Sequence, residues 1–263
     1  MSDEDDIDAS RAPLLDHLIE LRKRLLISLV TLAVLFGVCL YFAEPIFGFL
    51  VRPLVAAGQK RIFYSQLFEA FFVQLKVAFF AATVLSFPVV ANQLWQFVAP
   101  GLYRKEKRAL LPFLLATPVL FTAGCAMAYY VAVPAALRFL LSYQTDLRAT
   151  GGEEVHQQAL VMVGNYLTFM MQFLFGFGVS FLLPILLMLL ERAGIVTLGQ
   201  LARAWRYAIL GCFAIALVLA PPDAGSMVML ATPLVGLYFL TLVAIWLTHR
   251  RRARTEAAEE SAA

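Results

Sequence analysis

Hydrophobic residues run along this chain in long blocks, without the alternation of strands or the one-sided stripe of a helix in water. Six stretches, 25–43, 71–97, 110–134, 165–190, 207–222 and 227–247, total 134 residues and hold a single charge, Lys76. A helix needs roughly 20 apolar residues to cross a hydrocarbon core of ~30 Å, and all but 207–222 approach or exceed that. The pattern therefore predicts an all-α, polytopic membrane protein of six transmembrane helices. At ~1.5 Å per residue the 207–222 block reaches only ~24 Å, which predicts local bilayer thinning around the fifth span. Pro88, Pro118, Pro184 and Pro233 lie inside spans, and Pro112 and Pro134 near the ends of the third. Each removes a backbone hydrogen bond and can bend its helix, so the expectation is kinked helices forming a concave bundle.

Composition sharpens this picture. Of 263 residues, 61% are hydrophobic and only 15% charged, well below the quarter or so of soluble domains. The 21 Lys and Arg residues sort by compartment. One side collects 15: Arg11, Arg22, Lys23 and Arg24; Arg104, Lys105, Lys107 and Arg108; Arg192, Arg203 and Arg206; and Arg250, Arg251, Arg252 and Arg254. The other side has six: Arg52, Lys60, Arg61, Lys76, Arg138 and Arg148. The positive-inside rule then puts both termini in the cytoplasm, with external loops at 44–70, 135–164 and near 223–226. No loop is long enough for a separate domain. The expectation is one integral-membrane domain over 1–263, with flexible cytoplasmic tails at 1–13 and 249–263.

Several function classes lose support. The net charge of +3, with basic residues at membrane edges, argues against nucleic-acid binding. Cys39, Cys125 and Cys212 fall one per apolar block, with no CxxC and no neighbouring His, so neither a metal nor a cofactor is expected. His17, His156 and His249 have no evident catalytic or metal-binding partner, and nucleotide-binding and hydrolase motifs are lacking, which argues against an enzyme. A small-solute transporter or channel is the rival reading, but it calls for ionisable groups along a mid-membrane path, and the spans have almost none. Asn92, Gln93, Gln96, Asn165 and Gln172 are the main polar side chains at membrane depth, and interhelical hydrogen bonding accounts for them.

Two segments on the cytoplasmic side stand out. In 14–24 and on to Leu25, Leu14, Leu18, Leu21 and Leu25 recur at helical spacing while Asp16, Glu20, Lys23 and Arg24 take other faces, which predicts an amphipathic helix lying on the membrane before turning into the first span. Glu20 and Arg24 are spaced as an i,i+4 pair. The second segment is NQLWQFVAPGLYRKEKR at 92–108, where Trp95 and Tyr103 suit the interface, Pro100-Gly101 ends the span, and Glu106 is the loop's only acid. Residues 44–70, with Pro45, Pro53 and Glu69, suggest amphipathic pieces across the external face.

HLIELRKRLL at 17–26 and WQFVAPGLYRKEKR at 95–108, with VSFLLPILL at 179–187 and APPD at 220–223, resemble the motifs of the TatC family, the multispanning subunit of the twin-arginine protein translocase. The resemblance covers nearly the whole chain. It implies a receptor, in the bacterial inner membrane, for the twin-arginine signal peptides of proteins exported in the folded state. It also implies single-span TatA- and TatB-type partner subunits, self-association in a larger complex, contact with membrane lipid, and use of the proton gradient. Glu20 and Glu106 correspond to the family's acidic signal-binding residues, with Leu21, Arg22, Phe97 and Tyr103 beside them. A carboxylate suits the task because guanidinium binds it bidentately in a way lysine cannot copy. Yet both acids stand among basic residues, which alone would repel a cationic peptide; the expectation is that these neighbours point elsewhere. Pro53, Glu69, Gln172, Pro184 and Asp223 are structural or partner-contact candidates. Where the family often has a polar residue just before the fourth-span proline, this chain has Leu182-Leu183-Pro184, with Gln172 the nearby polar alternative.

Overall fold

A computed structural model describes residues 3–59, 61–98, 107–142, 146–148, 154–156, 160–192, 194–219 and 224–260. It is helical throughout apart from a pair of three-residue strands. The helices are α1 (Asp3–Tyr41), α2 (Ala43–Ala56), α3 (Glu69–Val98), α4 (Lys107–Met127), α5 (Val133–Leu141), α6 (Val163–Ser180), α7 (Leu183–Arg192), α8 (Leu198–Arg203), α9 (Trp205–Leu219) and α10 (Ala224–Glu260). Strands β1 (Asp146–Arg148) and β2 (Glu154–His156) pair antiparallel, with Leu147 opposite Val155. Five helical stretches among the described residues are long and apolar enough to cross a membrane: Leu18–Tyr41, Glu69–Phe97, Leu115–Leu141, Val163–Glu191 and Leu230–Arg250. A sixth, Trp205–Val218, is shorter. The 15 residues of α9 rise about 22 Å, short of a ~30 Å core.

Proline explains where the helices depart from regularity. Pro184 has no N–H to give the carbonyl of Ser180, and its ring crowds that turn, so the fourth span is split into α6 and α7 with a turn at 181–182. Ahead of Pro134 the third span widens into a π-helical turn at Ala128–Ala132, closed by Val133 N–H donating to Ala128 O. This span continues through α5 to Leu141, beyond the 134 expected from hydrophobicity, because VPAALRFLL stays apolar around Arg138. Pro53, Pro88 and Pro233 lie within helices. At the start of the chain the expected turn between 14–24 and the first span is missing. Residues Asp3–Tyr41 form one helix, since nothing between Leu14 and Tyr41 breaks the backbone. Likewise α10 runs on as helix to Glu260.

The chain forms two compact units. In the first, built from residues up to Phe49 and from Phe68–Pro118, α1 packs on α3 through small residues. Cys39, Ala43, Ala78 and Ala82 are buried, flanked by Leu32, Leu35, Phe36, Ile46 and Ala81. Phe36 meets Phe79 edge-on at 6.1 Å. Small side chains let the backbones approach closely, the usual means of association where lipid supplies no hydrophobic drive. The remainder of α1 presents Leu25, Leu29, Val30 and Val34 outward, as a lipid-facing helix does.

The second unit comprises Leu50–Leu67 and the chain from Val119 onward. Its centre is the packing of α4 and the π turn on α6, where Phe121, Phe173, Phe177, Leu167 and Met170 are almost wholly buried. Gly124 and Gly178 face each other there; a Cβ on Gly124 would sit 3.0 Å from the Gly178 Cα. Helix α10 packs against α9, α7, α8 and α5, and Tyr238 Oη donates to Leu201 O at 2.6 Å. Gly58 (φ 96°) and Gly194 (φ 72°) take left-handed conformations that let Gln59 N–H donate to Leu54 O and Ile195 N–H to Leu190 O beyond the ends of α2 and α7. The segment after α2 then caps α6. Met162 offers no side-chain cap, and Val163 N–H instead donates to Phe63 O at 2.9 Å while Phe63 N–H donates to Val161 O at 3.0 Å.

Candidate functional site

Four of the residues singled out by sequence, Glu20, Leu21, Arg22 and Phe97, lie where α1 runs beside the last turns of α3, within the first unit. The two helices run antiparallel, so Glu20 and Arg24, one turn apart on α1, come beside Asn92 and Gln96, one turn apart on α3. Arg24 Nε donates to Glu20 Oε1 at 3.1 Å, and Arg24 Nη2 donates to the same oxygen. The third donor, Arg24 Nη1, reaches across to Gln96 Oε1 at 3.0 Å. Gln96 Nε2 in turn donates to Asn92 Oδ1 at 3.0 Å. The result is a chain of four polar side chains, Glu20, Arg24, Gln96 and Asn92, that fixes both a carboxylate and a guanidinium at the edge of the helix pair.

Exposure shows what this arrangement offers. The Glu20 side chain is 34% exposed and that of Arg24 17%, so the carboxylate is reachable while the guanidinium is largely covered. Leu21, Arg22 and Lys23 are exposed on α1, and Phe97 in the last turn of α3 is half-buried. Carboxylate, apolar edge and aromatic ring are the elements that a basic, hydrophobic peptide requires. Just below, Trp95 Nε1 donates to Thr117 Oγ1 at 3.1 Å, with Thr117 buried. This bond ties the end of α3 to α4.

Of the basic neighbours expected to point away from Glu20, Arg24 does not: it is bound to Glu20 itself. The i,i+4 spacing forecasts that pair. Gln96 is the component that sequence reasoning left out of the site. Its polarity at the end of an apolar span predicts an interhelical hydrogen bond, which it makes, but its partner across 72 positions is not readable from spacing. Glu106, Tyr103 and Asp223 lie outside the described residues. Elsewhere, Pro53 is buried in α2, Glu69 is the first residue of α3, Gln172 is exposed on α6, and Pro184 is buried at the start of α7. These four are spread over different helices and are not gathered around Glu20. His249 Nε2 lies 2.5 Å from Glu191 Oε1, a structural contact that joins α10 to α7. Cys39, Cys125 and Cys212 are free and buried, and no group of three metal-binding side chains occurs among the described residues.

A family model described as "TatC: Sec-independent protein translocase protein (TatC)" matches residues 16–233. The Sec-independent protein translocase protein TatC of Magnetococcus marinus is 42% identical over 253 residues, covering 95% of this chain and 90% of that protein. That of Aquifex aeolicus is 34% identical over 248 residues, covering 94% of this chain and all of its own length. A crystal structure of the twin-arginine translocase receptor TatC superposes with a TM-score of 0.74 at 34% identity, covering 88% of this chain and 98% of that one.

Proposed function

The chain belongs to the TatC family of Sec-independent protein translocase proteins, and on that premise we propose that it is the receptor subunit of the twin-arginine translocation system, binding the signal peptides of folded export substrates at the Glu20 end of α1 and α3. It is a transport component of the membrane and not an enzyme. Its chemistry is recognition: the Glu20 carboxylate accepts guanidinium donors, while Leu21, Phe97 and the exposed apolar flank of α1 receive the hydrophobic part of the peptide. Glu106 supplies a second carboxylate for the second arginine, and Arg22 and Tyr103 are further candidates for peptide contact. The observation that carries the reading is that Glu20 already holds a guanidinium in the structure, through two donors on one carboxylate oxygen. A lysine ammonium cannot reproduce this fork.

The distribution of charge supports an orientation with both termini in the cytoplasm of a bacterium and the receptor face turned inward. The sequence carries no nucleotide-binding motif, which leaves the membrane gradient or partner subunits as the energy source, and the family resemblance favours the proton gradient. One bundle of this size cannot enclose a pore wide enough for a folded protein, so single-span partner subunits of the TatA and TatB type, and further copies of this chain, complete the machine. The small-solute transporter reading gains nothing, because the apolar spans offer no ionisable path.

Titration of a labelled twin-arginine signal peptide against the full-length protein and its Glu20→Ala and Glu106→Ala variants tests the assignment. A clear loss of affinity in each is expected. Unchanged affinity in both variants, with folding intact, removes these residues from the site.

A further inference from the structure

Arg24 turns onto the receptor carboxylate. It spends Nε and Nη2 on Glu20 and keeps Nη1 for Gln96 on the opposite helix. We propose that Arg24 is a resident stand-in for a signal-peptide arginine: the incoming guanidinium displaces it from Glu20, so Arg24 acts as a built-in competitor that sets how tightly the peptide binds.

The inference rests on the reading that Glu20 binds the signal peptide, and it answers a difficulty in that reading. A carboxylate flanked by Arg22, Lys23 and Arg24 is a poor attractor for a cation. As an exchange site it need not attract; it needs only to trade one guanidinium for another. When arginine replaces Arg24, two donors leave Glu20 Oε1 and two arrive, so the carboxylate loses nothing. When lysine replaces it, a forked donor is given up for a single ammonium, and the difference counts against lysine. The contact that must be broken is the same for both peptides, so Arg24 lowers the affinity for each, and the preference comes from what forms. Gln96 makes the exchange feasible, because Arg24 retains a partner on α3 after it leaves Glu20, and Gln96 is itself held by Asn92. Arg24 is mostly covered and Glu20 more open, the arrangement expected if the acid is the reachable group and the arginine its internal occupant.

The test is equilibrium binding of two synthetic signal peptides, one with the arginine pair and one with both arginines replaced by lysine, to the full-length protein in detergent. The variants are Arg24→Gln, Arg24→Lys and Glu20→Ala. Arg24→Lys keeps the local positive charge but lacks the fork, so it separates exchange from plain repulsion. Expected is tighter binding of both peptides to both Arg24 variants, by about three- to tenfold as suits a part-exposed charged pair, with the arginine-over-lysine ratio kept. If Arg24→Lys matches the unmodified protein in affinity while Glu20→Ala loses binding, the exchange is refuted and the Glu20 assignment stands. Weaker binding in both folded Arg24 variants also refutes it, making Arg24 a support for Glu20. If Glu20→Ala binds as the unmodified protein does, the underlying assignment fails and the inference with it.

Discussion

The approach of α4 to α6 at Gly124 and Gly178 gives a sharp energetic prediction, because a single methyl group is enough to probe it. A Cβ added at Gly124 would lie 2.6 Å from the Phe177 carbonyl oxygen and 2.9 Å from the Phe181 ring. One added at Gly178 would lie 2.7 Å from Cε2 of Phe121 and 2.9 Å from Cys125 Sγ. Neither clash has an easy release. The Phe177 oxygen is backbone, and Phe121 is 1% exposed, so its ring has no room to swing. Overpacking of this kind costs about 1–3 kcal/mol, against about 1 kcal/mol that alanine gains over glycine within a helix, leaving a net loss of up to about 2 kcal/mol. Gly124→Ala should lose more than Gly178→Ala, since a carbonyl yields less than a ring edge. Gly211→Ala and Gly236→Ala serve as controls: nothing lies within 4 Å of a Cβ at either site, so both should be neutral or slightly stabilising. Thermal unfolding of the four variants in one detergent, followed by tryptophan emission, reads the differences. If Gly124→Ala unfolds at the same midpoint as Gly236→Ala, the close crossing of α4 and α6 is wrong.

Two further outcomes are expected. Tyr166→Phe deletes the 2.7 Å bond from Tyr166 Oη to Leu50 O that joins α6 to α2, which should cost about 1 kcal/mol in the same unfolding assay, whereas Tyr130→Phe, at an exposed position, should cost nothing measurable. For the proposed orientation, Arg148→Cys in β1 should react with a membrane-impermeant thiol reagent applied outside intact cells, and protection there combined with labelling in inverted vesicles would reverse the topology.

Much of this architecture was legible because lipid imposes simple rules on sequence. Blocks of apolar residues give the spanning helices, and the break before Leu183 follows from the missing N–H of Pro184. The π turn before Pro134 has the same origin, but the choice between kink, break and bulge depends on tertiary packing and not on proline alone. Pairings distant in sequence were not legible. Gly124 and Gly178 are two small residues among many, and only the fold matches them. The strand-like capping of Val163 by Phe63 uses backbone atoms alone, so no side-chain pattern could announce it. At the site, helical spacing reveals Glu20 with Arg24 and Asn92 with Gln96, each a local i,i+4 pair. Joining the two pairs requires the antiparallel contact of α1 and α3, for which polarity at the span end was the sole hint. The functional weight given to Glu20 came from family resemblance, since its basic surroundings argue against it until Arg24 is seen to occupy it.

The central claim is that the junction of α1 and α3 receives a twin-arginine signal peptide, and site-specific photocrosslinking tests it most directly. A benzophenone amino acid replacing Phe97, in the last turn of α3, should crosslink to a bound signal peptide near its arginine pair, and the product should vanish when both arginines are changed to lysine. Absence of any crosslink despite measurable peptide binding, or equal crosslinking to the arginine and lysine peptides, would contradict the account.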